Sequence, residues 1–275
     1  MNRLRVLTLN CWNVSAPFDE RMALIRAGVQ ALQPDVIGLQ EIVVRRDGFD
    51  QGDLILRDLG YTSVYGAAFR WNDAGAVLPF DRDGDAFGNL IASRWPIRDY
   101  EVRELPGADS GERRSVIRAL LDTPCGTVAF ANTHLNWKLH HGHIRERQVV
   151  AVADFVEQLA GQASLPPILV GDLNAEPDAA EIRFLCGLQA LSGRSTYFQD
   201  AWRVAGNGDP GYTWDNRNSF AVYEADPNRR IDYVLVGKAE MNRRGWIESV
   251  RIVMDEAHND VFPSDHFGLL AEITS

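Results

Sequence analysis

The chain has 275 residues, 45% hydrophobic and 24% charged, and its 38 acidic against 28 basic residues leave a net charge of −10. Those proportions suit an ordinary soluble globular protein, and no apolar run approaches the ~18 residues of a membrane span. The acidic balance argues against a bulk nucleic-acid ligand, which needs a basic face to displace counterions. Cys11, Cys125 and Cys186 are too scattered for a disulfide framework or a zinc site, so a reducing cytoplasm is the expected compartment.

In chain order, Leu4–Leu9 reads as a first strand that closes on Asn10; its apolar part is too short for a secretory signal. Met22, Ile25, Val29 and Leu32 share one helical face that stops before Pro34. Val36–Leu39 is a second strand, closing on Gln40 and Glu41. Residues 66–88 read as a long loop. Its Asp81, Asp83 and Asp85 mimic a calcium loop, but the glycine is misplaced and no closing glutamate follows, which leaves a solvated acidic turn. Asn89–Ala92, Val116–Leu121 and Thr127–Ala131 are further strands, the last running on to His134. The run His140-His141-Gly142-His143 lacks acidic or cysteine partners at ligand spacing and reads as a rim loop. Arg145 and Gln148 then open a helix whose apolar face is Val149, Val152, Val156 and Leu159; both could reach a substrate anion. The pairs and clusters Arg113-Arg114 with Arg118, Arg229-Arg230 and Arg243-Arg244 read as solvated surface charge.

Ile168–Val170 leads into Gly171-Asp172-Leu173-Asn174, followed by a helix through Ile182, Leu185 and Leu188. A glycine-rich loop over residues 206–211 ends in Tyr212-Thr213-Trp214, and Ile231–Val236, Trp246–Val253 and Leu269–Ile273 complete the strands. Strands outnumber helices, and helices fall between groups of strands. Packed mixed sheets with helices outside are therefore expected, an α/β (α+β) fold in one domain over residues 1–275.

The polar residues that close these apolar runs carry the chemistry. Asn10 and Glu41, with Asp265 completing the shell, are oxygen ligands of the kind that hold Mg²⁺ or Mn²⁺. Asp172 and Asn174 point the same way if the segment is extended; Asp172 would then activate a water and Asn174 donate to phosphoryl oxygens. The alternative is an Asx turn closing the strand. Asp232, inside an apolar strand, needs a partner, and His266 is the obvious one, held as an imidazolium that can neutralise charge. His134 would donate to a non-bridging phosphate oxygen. Trp12, Trp71, Trp137 and Trp214 either line a cleft or belong to the core.

Taken together, Leu9-Asn10, Leu39-Gln40-Glu41, Gly88-Asn89 through Ser93-Arg94-Trp95-Pro96, Thr133-His134-Leu135, Gly171-Asp172-Leu173-Asn174, Arg230-Ile231-Asp232-Tyr233 and Ser264-Asp265-His266 resemble the endonuclease/exonuclease/phosphatase superfamily. The resemblance implies a four-layer α/β/β/α sandwich, two mixed central sheets flanked by helices, with a divalent-metal site at one end. It implies Asn10 and Glu41 at the metal, Asp172 on the nucleophilic water, Asn174 and His134 on the phosphate, and Asp232 supporting His266. Abasic-site endonucleases of that family carry aspartate where this chain has Trp12 and tyrosine where it has His134. The Thr-His-Leu form looks like the branches that cleave phospholipids, sphingomyelin, inositol phosphates or messenger-RNA tails. The expected protein is a Mg²⁺- or Mn²⁺-dependent phosphoesterase acting on a small phosphorylated metabolite or lipid head group. The alternatives are a nuclease, disfavoured by charge, and a non-catalytic phosphate-binding module.

Overall fold

Runs of valine, isoleucine and leucine, which suit a pleated buried surface, build twelve strands in the computed structural model, which describes residues 3–70, 84–159 and 161–275. In chain order they are β1 (Arg3–Asn10), β2 (Val36–Val44), β3 (Thr62–Arg70), β4 (Ala86–Ser93), β5 (Ile97–Glu104), β6 (Ser115–Thr123), β7 (Gly126–His134), β8 (Ile168–Asp172), β9 (Phe198–Asp200), β10 (Asp232–Gly237), β11 (Ile247–Val253) and β12 (Gly268–Thr274). They form two six-stranded sheets, ordered β11-β12-β1-β2-β4-β3 and β5-β6-β7-β8-β10-β9. Each sheet contains one parallel pair, β1–β2 in the first and β7–β8 in the second. A parallel pair needs a crossover, and the helices α1 (Phe18–Leu32) and α3 (Gly142–Glu157) supply them.

Alternation along the strands sorts side chains to the two faces. Val6, Val36 and Ile91 of the first sheet pack against Ile117, Phe130, Val170 and Val234 of the second. On the outer face of the first sheet, Leu7, Leu9, Ile37 and Leu39 meet Met22, Ile25 and Val29 of α1, and Ile55 of α2 (Gln51–Leu56). On the outer face of the second, Ala131, Leu169 and Leu235 meet Val149, Val152 and Val156 of α3, and Ile182 and Leu185 of α4 (Ala180–Leu185). The architecture is the four-layer α/β/β/α sandwich expected, with a further short helix, α5 (Ala201–Ala205), after β9. Among the described residues no helix is long and apolar enough to cross a membrane.

Parts of the expected loop over residues 66–88 are strand instead. Gly66 and Gly88 lie where β3 and β4 approach so closely that a Cβ on Gly88 would fall 2.0 Å from the Gly66 carbonyl oxygen; these glycines mark strand contact, not a turn. Asp81 and Asp83 lie outside the described residues. Asp85 is buried, accepts the Arg46 amide at 3.3 Å and sits 3.9 Å from Arg45, so it is no solvated acidic turn. Polar composition hid β5, an edge strand whose residues are mostly exposed. Helix α4 also stops earlier than expected, at Leu185, leaving Leu188 exposed.

Candidate active site

Because parallel neighbours run the same way, β1, β2, β7 and β8 deliver their carboxyl ends to one end of the sandwich. Register places Asn10 beside Gln40 in the first sheet and His134 beside Asp172 in the second. The antiparallel strand β10 begins there with Asp232 opposite Asp172, and Ser264-Asp265-His266 leads into β12 at the same end. Gly171 is required before Asp172: its φ is 149°, and a Cβ would lie 1.9 Å from the Thr133 carbonyl oxygen of β7. Glu41 does not end its strand as expected. Pairing of β2 with β4 skips from Leu39 to Ile42, and Glu41 sits in this irregularity with φ 59° while the strand continues to Val44. The bulge re-aims its side chain toward the site.

Four segments meet on the buried Asp172 carboxylate. Its Oδ2 lies 3.0 Å from Asn10 Nδ2, 3.4 Å from His134 Nε2 and 3.7 Å from His266 Nε2, and its Oδ1 accepts the Asn174 amide at 3.0 Å. That last bond closes an Asx turn with Asn174 in the left-handed region at φ 49°, so the extended reading of the segment is replaced. The Asn174 side chain donates to the Leu135 carbonyl at 3.2 Å, one of its two amide N–H groups being used this way. His266 Nδ1 is 2.9 Å from Asp232 Oδ2, the pairing expected for that strand aspartate, and Trp214 packs edge-on against the His266 ring at 5.0 Å.

Asn10 Nδ2 also reaches Glu41 Oε1 at 3.3 Å, while its Oδ1 accepts the Trp12 amide at 2.9 Å. Asn10 thus turns its amide nitrogen toward the carboxylates and its oxygen toward the Trp12 amide. Glu41 Oε2 accepts from Asn13 at 2.9 Å. Ser264 Oγ donates to the Asn10 carbonyl at 2.6 Å and lies 3.2 Å from Asp265 Oδ1.

Burial dominates the electrostatics. It pushes the Asp265 carboxyl up to about 7, with His266 pulling down and Glu41 pushing up. Burial and the charge of Asp232 raise Asp172 to about 6 against the opposing His266, Asn10 and Asn174. For His266 burial works downward, but Asp232 and Asp172 override it and lift the imidazole to about 10. His134 is held well below its ordinary 6.5 by burial, then by Arg114 and His266.

A hard divalent cation fits this donor set. Glu41 and Asp265 are oxygen donors, and the Glu41 charge adds to the burial that raises Asp265. Ligand atoms of Asp172, Asp232 and His266 also lie within 4.8 Å of one another. There His266 would have to ligate through Nε2, a nitrogen that stays protonated while Asp232 and Asp172 lift the imidazole to about 10.

Sequence reasoning missed two arginines. Arg21, fully buried on α1, donates to the Cys11, Trp12 and Ser15 carbonyls and shapes the loop after Asn10. Arg114 places Nη1 3.2 Å from His134 Nδ1. Expected as surface charge, Arg114, Arg118, Arg229 and Arg230 are all buried, Arg230 in a two-bond pair with Asp200 at 3.1 and 2.7 Å. Arg145 is likewise committed, to Glu181 at 2.9 Å and to the Asn136 and Lys138 carbonyls, and Gln148 to the Asn136 amide and the Pro106 carbonyl; neither is free for a substrate anion. The histidine run is only partly the expected rim loop, since Gly142 and His143 open α3; His141 Nδ1 lies 2.7 Å from Asn136 Oδ1, which anchors the entry to that helix. Trp137 is exposed, Trp214 is buried, Trp12 packs on Phe220 at 4.7 Å, and Trp71 lies outside the described residues.

The family model for the Endonuclease/Exonuclease/phosphatase family matches residues 7–266. The chain belongs to this family. Members of the Endonuclease/Exonuclease/phosphatase family hydrolyse phosphoester bonds. Over 178 residues, 62% of this chain, it is 28% identical to the uncharacterized protein YbhP of Escherichia coli (strain K12), and it spans 66% of that protein, just under two thirds. It is 23% identical to nocturnin of Homo sapiens over 94% of this chain and 58% of that protein. Among solved structures, an endonuclease/exonuclease/phosphatase from Beutenbergia cavernae superposes with a TM-score of 0.75 at 25% identity, over 99% of this chain and 72% of that one. D. rerio TDP2 complexed with a single-strand DNA product superposes with a TM-score of 0.73 at 20% identity, over all of both chains, a likeness of fold.

Proposed function

We propose that the protein is a divalent-metal-dependent phosphoesterase that hydrolyses a phosphate mono- or diester by in-line attack of water. The observation that carries this reading is the convergence of Asn10, His134 and His266 on the single buried carboxylate of Asp172, at 3.0 to 3.7 Å. Raised to about 6, Asp172 is ionised at neutral pH yet basic enough to orient the attacking water and accept its proton. His266, kept protonated by Asp232, presents Nε2–H to the charge that builds on the phosphoryl oxygens. His134 and the second amide N–H of Asn174 line the same place. Glu41 and Asp265, with Asn10 beside them, would hold Mg²⁺ or Mn²⁺, which when bound supplies charge neutralisation and Lewis-acid polarisation.

Net charge favours a small phosphorylated metabolite or lipid head group, but the relatives lend that preference no support. The D. rerio TDP2 complex holds a single-strand DNA product, so cleavage of nucleic acid is the second reading; a global charge of −10 says little about the field inside one cation-binding end. We further propose that residues 1–275 act as one unit, since both sheets contribute to the site, in a reducing cytoplasm. The test is turnover with Mg²⁺ and Mn²⁺ across sugar phosphates, inositol phosphates, phospholipids and single-stranded oligonucleotides. Hydrolysis that persists in EDTA, or in Asp172→Ala, rejects the reading.

A further inference from the structure

Among the described residues, Arg114 is the one buried cation in hydrogen-bond contact with the imidazole of His134. Its place follows from the way the two sheets repeat each other. Asn10 beside Gln40 in the first sheet corresponds to His134 beside Asp172 in the second. Two residues back, Thr8 pairs with Leu269 and Asn132 pairs with Ile117. Counting back equally from Leu269 and Ile117 reaches His266 and Arg114. Arg114 therefore occupies, ahead of β6, the register position that His266 occupies ahead of β12. In the first sheet that position carries an imidazole bonded to a carboxylate; in the second it carries a guanidinium bonded to an imidazole.

A guanidinium has only donors and stays charged. The ring nitrogen it meets at 3.2 Å, His134 Nδ1, must therefore accept. The ring proton then sits on Nε2, the nitrogen 3.4 Å from Asp172 Oδ2. We propose that Arg114 is a positioning residue that locks His134 in its Nε2–H tautomer, so that the ring can only donate toward the reacting phosphoryl group. This rests on the phosphoesterase reading of the site. The competing acceptor is also in place: Glu41 Oε1 lies 3.9 Å from the same Nδ1. Without the guanidinium, that carboxylate draws the ring proton to Nδ1 and leaves Nε2 a bare acceptor facing the anionic centre. Glu112 holds the arrangement from behind, with Oε2 3.5 Å from Arg114 Nε and accepting the Trp137 amide at 3.2 Å. One carboxylate thus ties Arg114 to the loop that follows His134.

The experiment is a long-range ¹H–¹⁵N correlation of the full chain labelled at histidine, near neutral pH, with His134→Gln assigning the ring. Wild type is expected to show His134 protonated at Nε2 and bare at Nδ1. Arg114→Met is expected to move the proton to Nδ1 and to lower kcat at least ~10-fold, the scale for losing a group that orients a histidine, with KM unchanged within about twofold. Arg114→Lys keeps a charged donor and is expected to restore the tautomer and most of the rate. A wild-type His134 protonated at Nδ1, or an Arg114→Met protein that folds and keeps the Nε2–H form, overturns the proposal. If Arg114→Met does not fold, the wild-type and Arg114→Lys spectra decide it. If wild type cleaves no phosphoester, the spectra still decide the role of Arg114, and only the phosphoesterase reading falls.

Discussion

His266 and Asp172 owe their opposite protonation states to one shared surrounding. Both are buried, yet His266 sits between two carboxylates and is lifted to about 10, while Asp172 is raised only to about 6. Activity should therefore climb as Asp172 loses its proton near 6 and fall as His266 loses its proton near 10. Asp232→Asn removes the charge that holds the imidazolium, so the alkaline limb of the kcat profile should move to lower pH; an unmoved limb rules out the pairing as its cause. Asp172→Ala and His266→Ala should each lower kcat by at least ~100-fold, as expected for a lost catalytic group. The Asp232–His266 pair was legible because an aspartate in an apolar strand has to find a partner. The Arg114–His134 contact was not, since nothing local distinguishes Arg114 from its half-buried neighbour Arg113.

At the scale of elements, the site depends on two sheets being locked at a fixed offset. Asn132 of β7 donates to the Leu39 and Leu90 carbonyls of the first sheet at 2.8 and 2.9 Å and accepts from Gln40 at 2.7 Å. Gln40 also donates to Thr8 at 3.1 Å. Asn132→Ala leaves a buried amide and two carbonyls without this partner, so it should cost about 2–4 kcal/mol of stability, read from the urea midpoint. Gly88→Ala should also destabilise, because the new Cβ meets the backbone of β3 and no side chain there can give way. Apolar runs with β-branched residues revealed nine of the strands; β3, β5 and β9 escaped because their sequences are polar, short or interrupted by glycine.

For the whole molecule, the raised acids turn the site into a store of destabilising charge. Asp172 and Asp265 keep protons up to about 6 and about 7 that the unfolded chain, with an ordinary value of 3.8, has already released. His266 does the same between its ordinary 6.5 and about 10. In each window the folded state binds more protons than the unfolded one, so stability falls as pH rises through it. In chelator, the melting temperature should drop steadily from slightly acid to alkaline pH. Added Mg²⁺ should raise it, most strongly on the alkaline side, by an amount that grows with the logarithm of cation concentration. A melting temperature indifferent to Mg²⁺ at every pH would remove the cation from the site.

The residues that close the apolar runs pointed to the family early, because a carboxylate, amide or imidazole at a strand end must face water, a partner or a ligand. Their pairing in space was another matter. Whether Glu41 ended its strand or bulged out of it, whether Asn174 ran extended or closed a turn, and which arginines went under the surface all depended on sheet register. Register is set by the packing of many apolar side chains between layers and by polar contacts across them, such as Gln40 to Asn132, 92 residues apart. Those contacts are summed over the whole core, so no single segment carries the information that decides them.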